Sequence, residues 1–272
     1  MFIGVPLLIL APAKPLTSIK PLLLISLLVY AILVCAVWLF YPEFTACSRD
    51  SLWCTFCYWT TQSAGRIGTI YVVIAACVYF AAGQSTARGK ALVFIRSLLA
   101  LVVILSAFAY LNEHLIKSTL RIVRPSHTFM VKDTEFNSKL DSIYNLTDNN
   151  KRAFFKSVIT ADTITFKTID ERILNHWVEE MGYSFPSGHS FNAFLLAGII
   201  AVGIFQNTPK RRRWLCVIPL VWASLVALSR VAIGAHSALD VSVGSAMGLI
   251  LSYSLMSFRI TRELIIPGKS VT

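Results

Sequence analysis

The sequence predicts an all-α membrane protein: a six-transmembrane-helix bundle with a small, mostly helical extramembrane insertion between helices 3 and 4. Three observations predict it. Only 14% of the 272 residues are charged and 56% are hydrophobic, whereas soluble domains carry about 25% charge. Mean hydropathy is +0.65, and the apolar residues gather into six stretches near the ~20 residues that cross a bilayer as a helix. One long polar stretch, Ser126 to Tyr183, interrupts them. Residues 1–272 read as a single integral membrane domain.

Met1 to Ala13 is apolar but broken by Pro6 and Pro12, and no basic residue precedes it. It reads as an interfacial segment, not a signal peptide or a span. The first span runs from Pro21 to Tyr41 without an internal charge. Pro42 to Arg66 reads as a loop whose Trp53, Phe56, Tyr58 and Trp59 suit the membrane interface. The same loop holds Cys47, Cys54 and Cys57. Zinc would want a fourth ligand there. An oxidising compartment would allow one local disulfide and leave a thiol over. Cys35, Cys77 and Cys216 lie in apolar sequence and read as small hydrophobes.

The second span is Ile67 to Ala82, followed by a polar turn carrying Arg88 and Lys90. The third is Ala91 to Leu111, with Arg96 snorkelling near its start. Its helical pattern continues through Asn112 into Arg124, where Pro125 stops it. Within the insertion, Asp170 to Glu180 is patterned as a helix. The last three spans are Phe185 to Phe205, Trp214 to Leu228 and Leu239 to Phe258. Lys210 to Arg213 forms a basic run between the fourth and fifth.

A net charge of +11 can signal nucleic-acid binding, but these cations are scattered through short loops and form no soluble basic domain. They set orientation instead. If six helices alternate, the N-terminal lysines, the Arg88 turn, the 210–213 run and the tail (Arg259, Arg262, Lys269) share one face. The positive-inside rule makes that face cytoplasmic. The end of span three, the start of span four and the junction of spans five and six then share the outer face.

Three clusters meet there. Ser229 to Asp240 places Arg230, His236 and Asp240 inside apolar sequence, where ionisable groups are costly and mark function. His236 and Asp240 are four apart, the spacing of one helical face; the carboxylate would fix the imidazole tautomer, or the two would form a buried structural pair. Lys117, Arg121 and Arg124 follow the i, i+4, i+7 spacing. They read as a cationic face, either for a substrate anion or for lipid headgroups. Phe185-Pro-Ser-Gly-His189 opens a span. Ser187 suits a helix cap, and free N–H groups at such a terminus bind anions. Two histidines, one carboxylate, several cations and a helix N-terminus suit phosphoryl transfer, which is mostly positioning and charge stabilisation. No carboxylate cluster for a metal accompanies them.

Lys117-x6-Arg124-Pro125, Pro186-Ser-Gly-His189 and Ser229-Arg230-x5-His236-x3-Asp240 resemble the three signature motifs of the type-2 phosphatidic acid phosphatase superfamily. The region from His176-Trp177 to Asp240, with its Pro209-Lys-Arg-Arg-Arg213 turn, resembles its bacterial phosphatidylglycerophosphatase B branch. The resemblance implies His236 as nucleophile, Asp240 as its orienting carboxylate and His189 as general acid. Lys117, Arg124, Ser187, Gly188 and Arg230 would bind the phosphate oxygens. Arg121 matches no motif position and is left as a substrate contact. The implied activity is metal-independent hydrolysis of lipid phosphates or pyrophosphates through a phosphohistidine. The expected partners are the lipid phosphate and the bilayer, with no cofactor and no obligate protein partner. The same intermediate would serve a lipid phosphotransferase, and the cations alone a headgroup binder or transporter.

Overall fold

The computed structural model describes residues 19–44 and 46–266. The expected interfacial segment Met1 to Ala13 and the tail at Lys269 lie outside them. Among the described residues, five helices are long and apolar enough to cross a membrane, and a sixth span arises when one bent pair is counted as a unit. No strand forms among these residues beyond an isolated bridge between Ser48 and Ile169. The chain is an integral membrane protein.

Helix α1, Lys20–Phe40, matches the first expected span. The second span differs from expectation. The aromatic loop contains a helix, α2 (Leu52–Ser63), and α3 (Arg66–Ala81) continues from it after a 62° bend. Ser51 caps α2 by accepting from the Cys54 N–H. Its face of Leu52, Trp53, Phe56 and Trp59 is exposed, while Cys54, Cys57 and Thr61 are buried. The aromatic side chains thus concealed a helical period. Cys47 and Cys54 form a disulfide and Cys57 keeps its thiol. Of the three scattered cysteines, Cys77 and Cys216 are buried but Cys35 is exposed on α1.

Helix α4, Ala87–Leu111, passes into a π-helical turn at Asn112–Lys117 and ends at Leu120. Arg121, not Pro125, terminates it: Arg121 adopts the left-handed conformation with φ 49°. Pro125 instead opens α5 (Pro125–Val131), a first-turn position where its missing N–H costs nothing. The insertion then folds as α6 (Leu140–Tyr144), α7 (Asp148–Ala161), α8 (Thr163–Lys167) and α9 (Glu171–Glu179). It has its own apolar core around Phe155, Ile173 and Trp177, joined to the bundle at Ile233 and Ala235.

The bundle closes with α10 (Gly188–Asn207), α11 (Val217–Ala232, entered through a 3₁₀ turn at Lys210–Cys216) and α12 (Ala238–Ser257). A short α13 (Arg259–Ile265) follows and packs on α4, where Ser97 donates to the Ile265 carbonyl at 2.7 Å. Helix α10 is the most enclosed span and packs against both α11 and α12. Its entry turn rests on α12 because Gly244 has no side chain. A Cβ there would lie 2.6 Å from the Ser187 carbonyl oxygen.

Gly244→Ala should therefore force α12 away from the 185–189 turn. Overpacking of this kind costs about 1–3 kcal/mol. The expected result is a lowered thermal midpoint in detergent; an unchanged midpoint would mean that the turn yields without cost.

Candidate active site

The C-terminal end of α11 carries the central residues. The helix closes at Ala232, and Gly234 takes the left-handed conformation at φ 72°, the usual role of a glycine just past a helix end. The N–H groups of Ala235 and His236 turn back to the Arg230 carbonyl at 3.0 and 3.2 Å. His236 therefore lies in the connection, not on α12. Its contact with Asp240 arises from a capping box and not from a shared helical face, as the spacing of four suggests. Ser237 caps α12, and Asp240, three residues on, accepts the Ser237 N–H at 2.8 Å. The same Asp240 Oδ2 accepts from the Ser184 hydroxyl and stands 3.4 Å from His236 Nδ1. This leaves His236 Nε2 facing Arg124 Nη1 at 3.3 Å. Burial pushes the His236 pKa down to about 3, with the nearby Arg124 and Arg230 charges acting in the same direction against the pull of Asp240. Its imidazole is neutral at neutral pH.

The cation cluster differs from expectation. The helix breaks at Arg121, so Lys117, Arg121 and Arg124 do not share a face. Arg121 is exposed and donates to the Ser118 carbonyl, while Lys117 and Arg124 are buried at 5% and 4% exposure. Arg124 Nε donates to the Gly182 carbonyl at 2.8 Å, and Nη1 to the Ala235 carbonyl at 3.1 Å. Lys117 Nζ meets Glu113 at 2.8 Å. Ser187 caps α10 by accepting from the Ser190 N–H, as expected. Its own N–H is not free, because it donates to the Asp240 carbonyl at 3.0 Å. Gly188 and His189 take the accessible positions at that terminus. Lys117, Arg124, Gly188, His189 and His236 line one cavity of about 700 Å³. Arg230, Asp240 and Ser187 are buried and lie outside its lining.

A residue outside the three motifs joins them. Glu180, just past α9, bonds Arg124 Nη1 at 2.7 Å and pairs with Arg230 Nη2. Its other oxygen faces His176 Nε2 at 3.3 Å and His189 Nδ1 at 3.9 Å. Burial alone would raise its pKa, but Arg230 and Arg124 hold it well below the ordinary carboxylate value. His176 Nε2 accepts from Arg230 Nη1 at 2.8 Å. Burial lowers its pKa to about 4, so the ring is neutral and able to accept. The Nε of Arg230 is buried without a partner. Among the described residues, no group of three His, Cys, Asp or Glu could hold a metal ion.

The spacing of these motifs over one continuous segment carries a family signature. Residues 96–263, more than half the chain, match the PAP2 superfamily. The chain belongs to the PAP2 superfamily. Similar proteins include the phosphatidylglycerophosphatase B of Bacillus subtilis (strain 168), 34% identical over 101 residues, covering 32% of this chain and 50% of that protein. That of Escherichia coli (strain K12) is 33% identical over 118 residues, covering 43% of this chain and 42% of its own. An undecaprenyl-diphosphatase of Sulfolobus acidocaldarius is 37% identical over 71 residues, covering 26% of this chain and 31% of that protein. The chain thus spans half or less of each of these three relatives.

In this PAP2 chain the insertion also holds Arg124 from behind. The Arg124 N–H donates to Tyr144 Oη at 3.1 Å, and Tyr144 Oη lies 2.6 Å from Nδ1 of the fully buried His127. His127 Nε2 in turn donates to the Trp177 carbonyl at 2.9 Å, and Trp177 Nε1 to the Ile233 carbonyl at 2.6 Å. The phenol therefore donates to Nδ1, which fixes the His127 tautomer. Neither His127 nor Tyr144 stands out in sequence, because they lie 17 residues apart and their other partners are backbone atoms 20 and 50 residues away. Glu180 and His176 did carry a signal, an i, i+4 carboxylate–imidazole pair flanking the apolar face of α9.

Burial depresses the His127 pKa from 6.5 to about 3. Below pH 6.5 the unfolded chain takes up a proton that the folded protein refuses. Stability is fully present above that pH and falls as pH drops towards 3. His176 and His236 act in the same direction. Thermal midpoints measured from about pH 7 down to about pH 4 should decline, and His127→Gln should flatten the decline. A profile in which the variant and the wild type run parallel would contradict this origin.

Proposed function

We propose that the chain hydrolyses membrane lipid phosphates or diphosphates, without a metal, through a phosphohistidine. The observation that carries the reading is the convergence of Arg124, Arg230, His176 and His189 on the Glu180 carboxylate beside the neutral His236. An anion already sits where cations from separate segments meet. A substrate phosphoryl group would take over those partners, adding the unused Arg230 Nε, Lys117 and the N–H groups at Gly188 and His189. Glu180 would withdraw as the phosphate enters.

His236 Nε2 attacks phosphorus while Asp240 stabilises the charge that develops on Nδ1–H. The P–O bond to the lipid breaks, and His189 gives its proton to the departing oxygen. Water then attacks the phosphohistidine and returns a proton to His189. The P–N bond breaks, and inorganic phosphate leaves with His236 neutral again. Protein cations supply the charge stabilisation that a metal supplies elsewhere.

The cavity supports an amphiphilic substrate. Its charged wall is continuous with Leu105, Ala109 and Phe191 on spans α4 and α10, so a headgroup can meet the cations while the tail stays in lipid. The relatives' names and the resemblance put forward undecaprenyl diphosphate, phosphatidylglycerol phosphate and phosphatidic acid. Orientation follows from charge: the Arg88 turn, the Lys210–Arg213 run and α13 lie at the opposite end of the spans from this site. We place them in the cytoplasm, with both termini, and the site on the outer face of a bacterial cytoplasmic membrane. The whole chain acts as one phosphatase domain, with the insertion as its cap.

Phosphate release from micellar lipid phosphates by the purified chain tests the reading. His236→Ala should lower kcat by at least about 1,000-fold with the fold intact, the scale seen when a nucleophile is removed. Turnover near wild type in that variant would remove His236 from the role. Release should also persist in EDTA; a loss that magnesium restores would refute the metal-free chemistry.

A further inference from the structure

The cavity that holds Lys117, His189 and His236 is also lined by polar residues outside the three motifs. Arg66 lines it together with Thr69, Asn112 and Asn192. The other lining cations are each matched by a carboxylate: Lys117 by Glu113 at 2.8 Å, Arg124 by Glu180 at 2.7 Å and Arg152 by Glu179 at 3.2 Å. Arg66 is exposed and has no ion pair or side-chain hydrogen bond among the described residues. Asn112 is only 4% exposed, yet its Oδ1 has no partner. Its Nδ2 lies beside Gly188, 3.4 Å from where a Cβ would stand. This amide belongs to the π-helical turn of α4, a distortion common at functional sites.

The fold fixes Arg66 at that place. It is the first residue of α3, directly after the 62° bend. The bend is anchored on α11 by Thr61 Oγ1 to Ser229 Oγ at 2.7 Å and by Trp222 Nε1 donating to Ser63 Oγ at 3.0 Å. Ser229 immediately precedes Arg230, so one contact couples the bend to the guanidinium that pairs with Glu180.

We infer that the part of the cavity lined by Arg66 is a leaving-group subsite, in which Arg66 takes a second phosphate and makes lipid diphosphates better substrates than lipid monophosphates. The inference rests on the function proposed above. A monophosphate ester expels an alcohol, which leaves neutral after taking the His189 proton and gains nothing from a cation. A diphosphate expels a phosphate monoester. His189 protonates the bridging oxygen as the P–O bond breaks, while the remaining oxygens keep negative charge. A guanidinium beside those oxygens lowers the cost of departure, because charge-assisted hydrogen bonds are the strong ones. An Arg66 serving only lipid headgroups at the interface would help both substrates alike.

The test compares a polyprenyl diphosphate with the polyprenyl monophosphate of the same chain length, as kcat/KM in mixed micelles. The ratio between the two within one preparation is the readout, so partial loss of folded protein cancels. Wild type should favour the diphosphate. Arg66→Gln should lower kcat/KM for the diphosphate about tenfold and for the monophosphate less than twofold, and Arg66→Lys should keep most of the preference. An equal fall on both substrates, or no fall on the diphosphate, overturns the subsite. If wild type releases phosphate from neither lipid above the His236→Ala background, the proposed function itself fails and this inference with it.

Discussion

The arrangement depends on one buried ion pair with an extra member: the Glu180 carboxylate held between the guanidiniums of Arg124 and Arg230. Arg230 is fully enclosed in the bundle, where an uncompensated charge costs several kcal/mol. Glu180 supplies that compensation from the insertion, and Arg124 joins from the segment after α4. Three separate stretches of chain are thereby tied at one point. Breaking the contact without replacing it would leave a charge stranded in an apolar interior, so any group that displaces Glu180 must itself be an anion. The resting ion pair thus selects for the chemistry of what replaces it.

The insertion is accordingly part of the site's framework. Its core around Phe155 and Trp177 merges with Ile233 and Ala235 of the connection that carries His236. The hydrogen-bond chain from Arg124 through Tyr144, His127 and Trp177 to Ile233 closes a loop between the two positions that flank the cavity. Every polar atom along that chain finds a partner, the condition for a buried polar network to rigidify its surroundings. The histidine and the arginine that face each other at 3.3 Å are held from behind by the same set of bonds.

Much of this was legible in the sequence, and the failures have physical causes. Long apolar runs gave the membrane-crossing helices within a few residues because the bilayer imposes length directly. The cap that Ser187 gives α10 followed from capping chemistry. The cationic face of Lys117, Arg121 and Arg124 did not survive, because Arg121 turns left-handed four residues before the proline expected to end the helix. Spacing rules assume that the helix continues. α2 was hidden by aromatic residues whose interfacial preference masks period. For Glu180 only the local pairing with His176 was legible; its arginine partners lie 56 and 50 residues away, and no local pattern encodes that distance.

The bridge between Ser48 and Ile169 carries a last consequence, one of timing. Arg49 donates to the Thr168 carbonyl at 2.9 Å and Asp170 to the Cys47 carbonyl at 3.3 Å. The short segment after α1 therefore waits during synthesis for a strand-like partner made more than a hundred residues later, after two further spans have been threaded. Arg124 and Glu180 are both present once the insertion is complete and pair at 2.7 Å, whereas Arg230 arrives only with α11. The third charge of that cluster is thus added only when the penultimate span has been made.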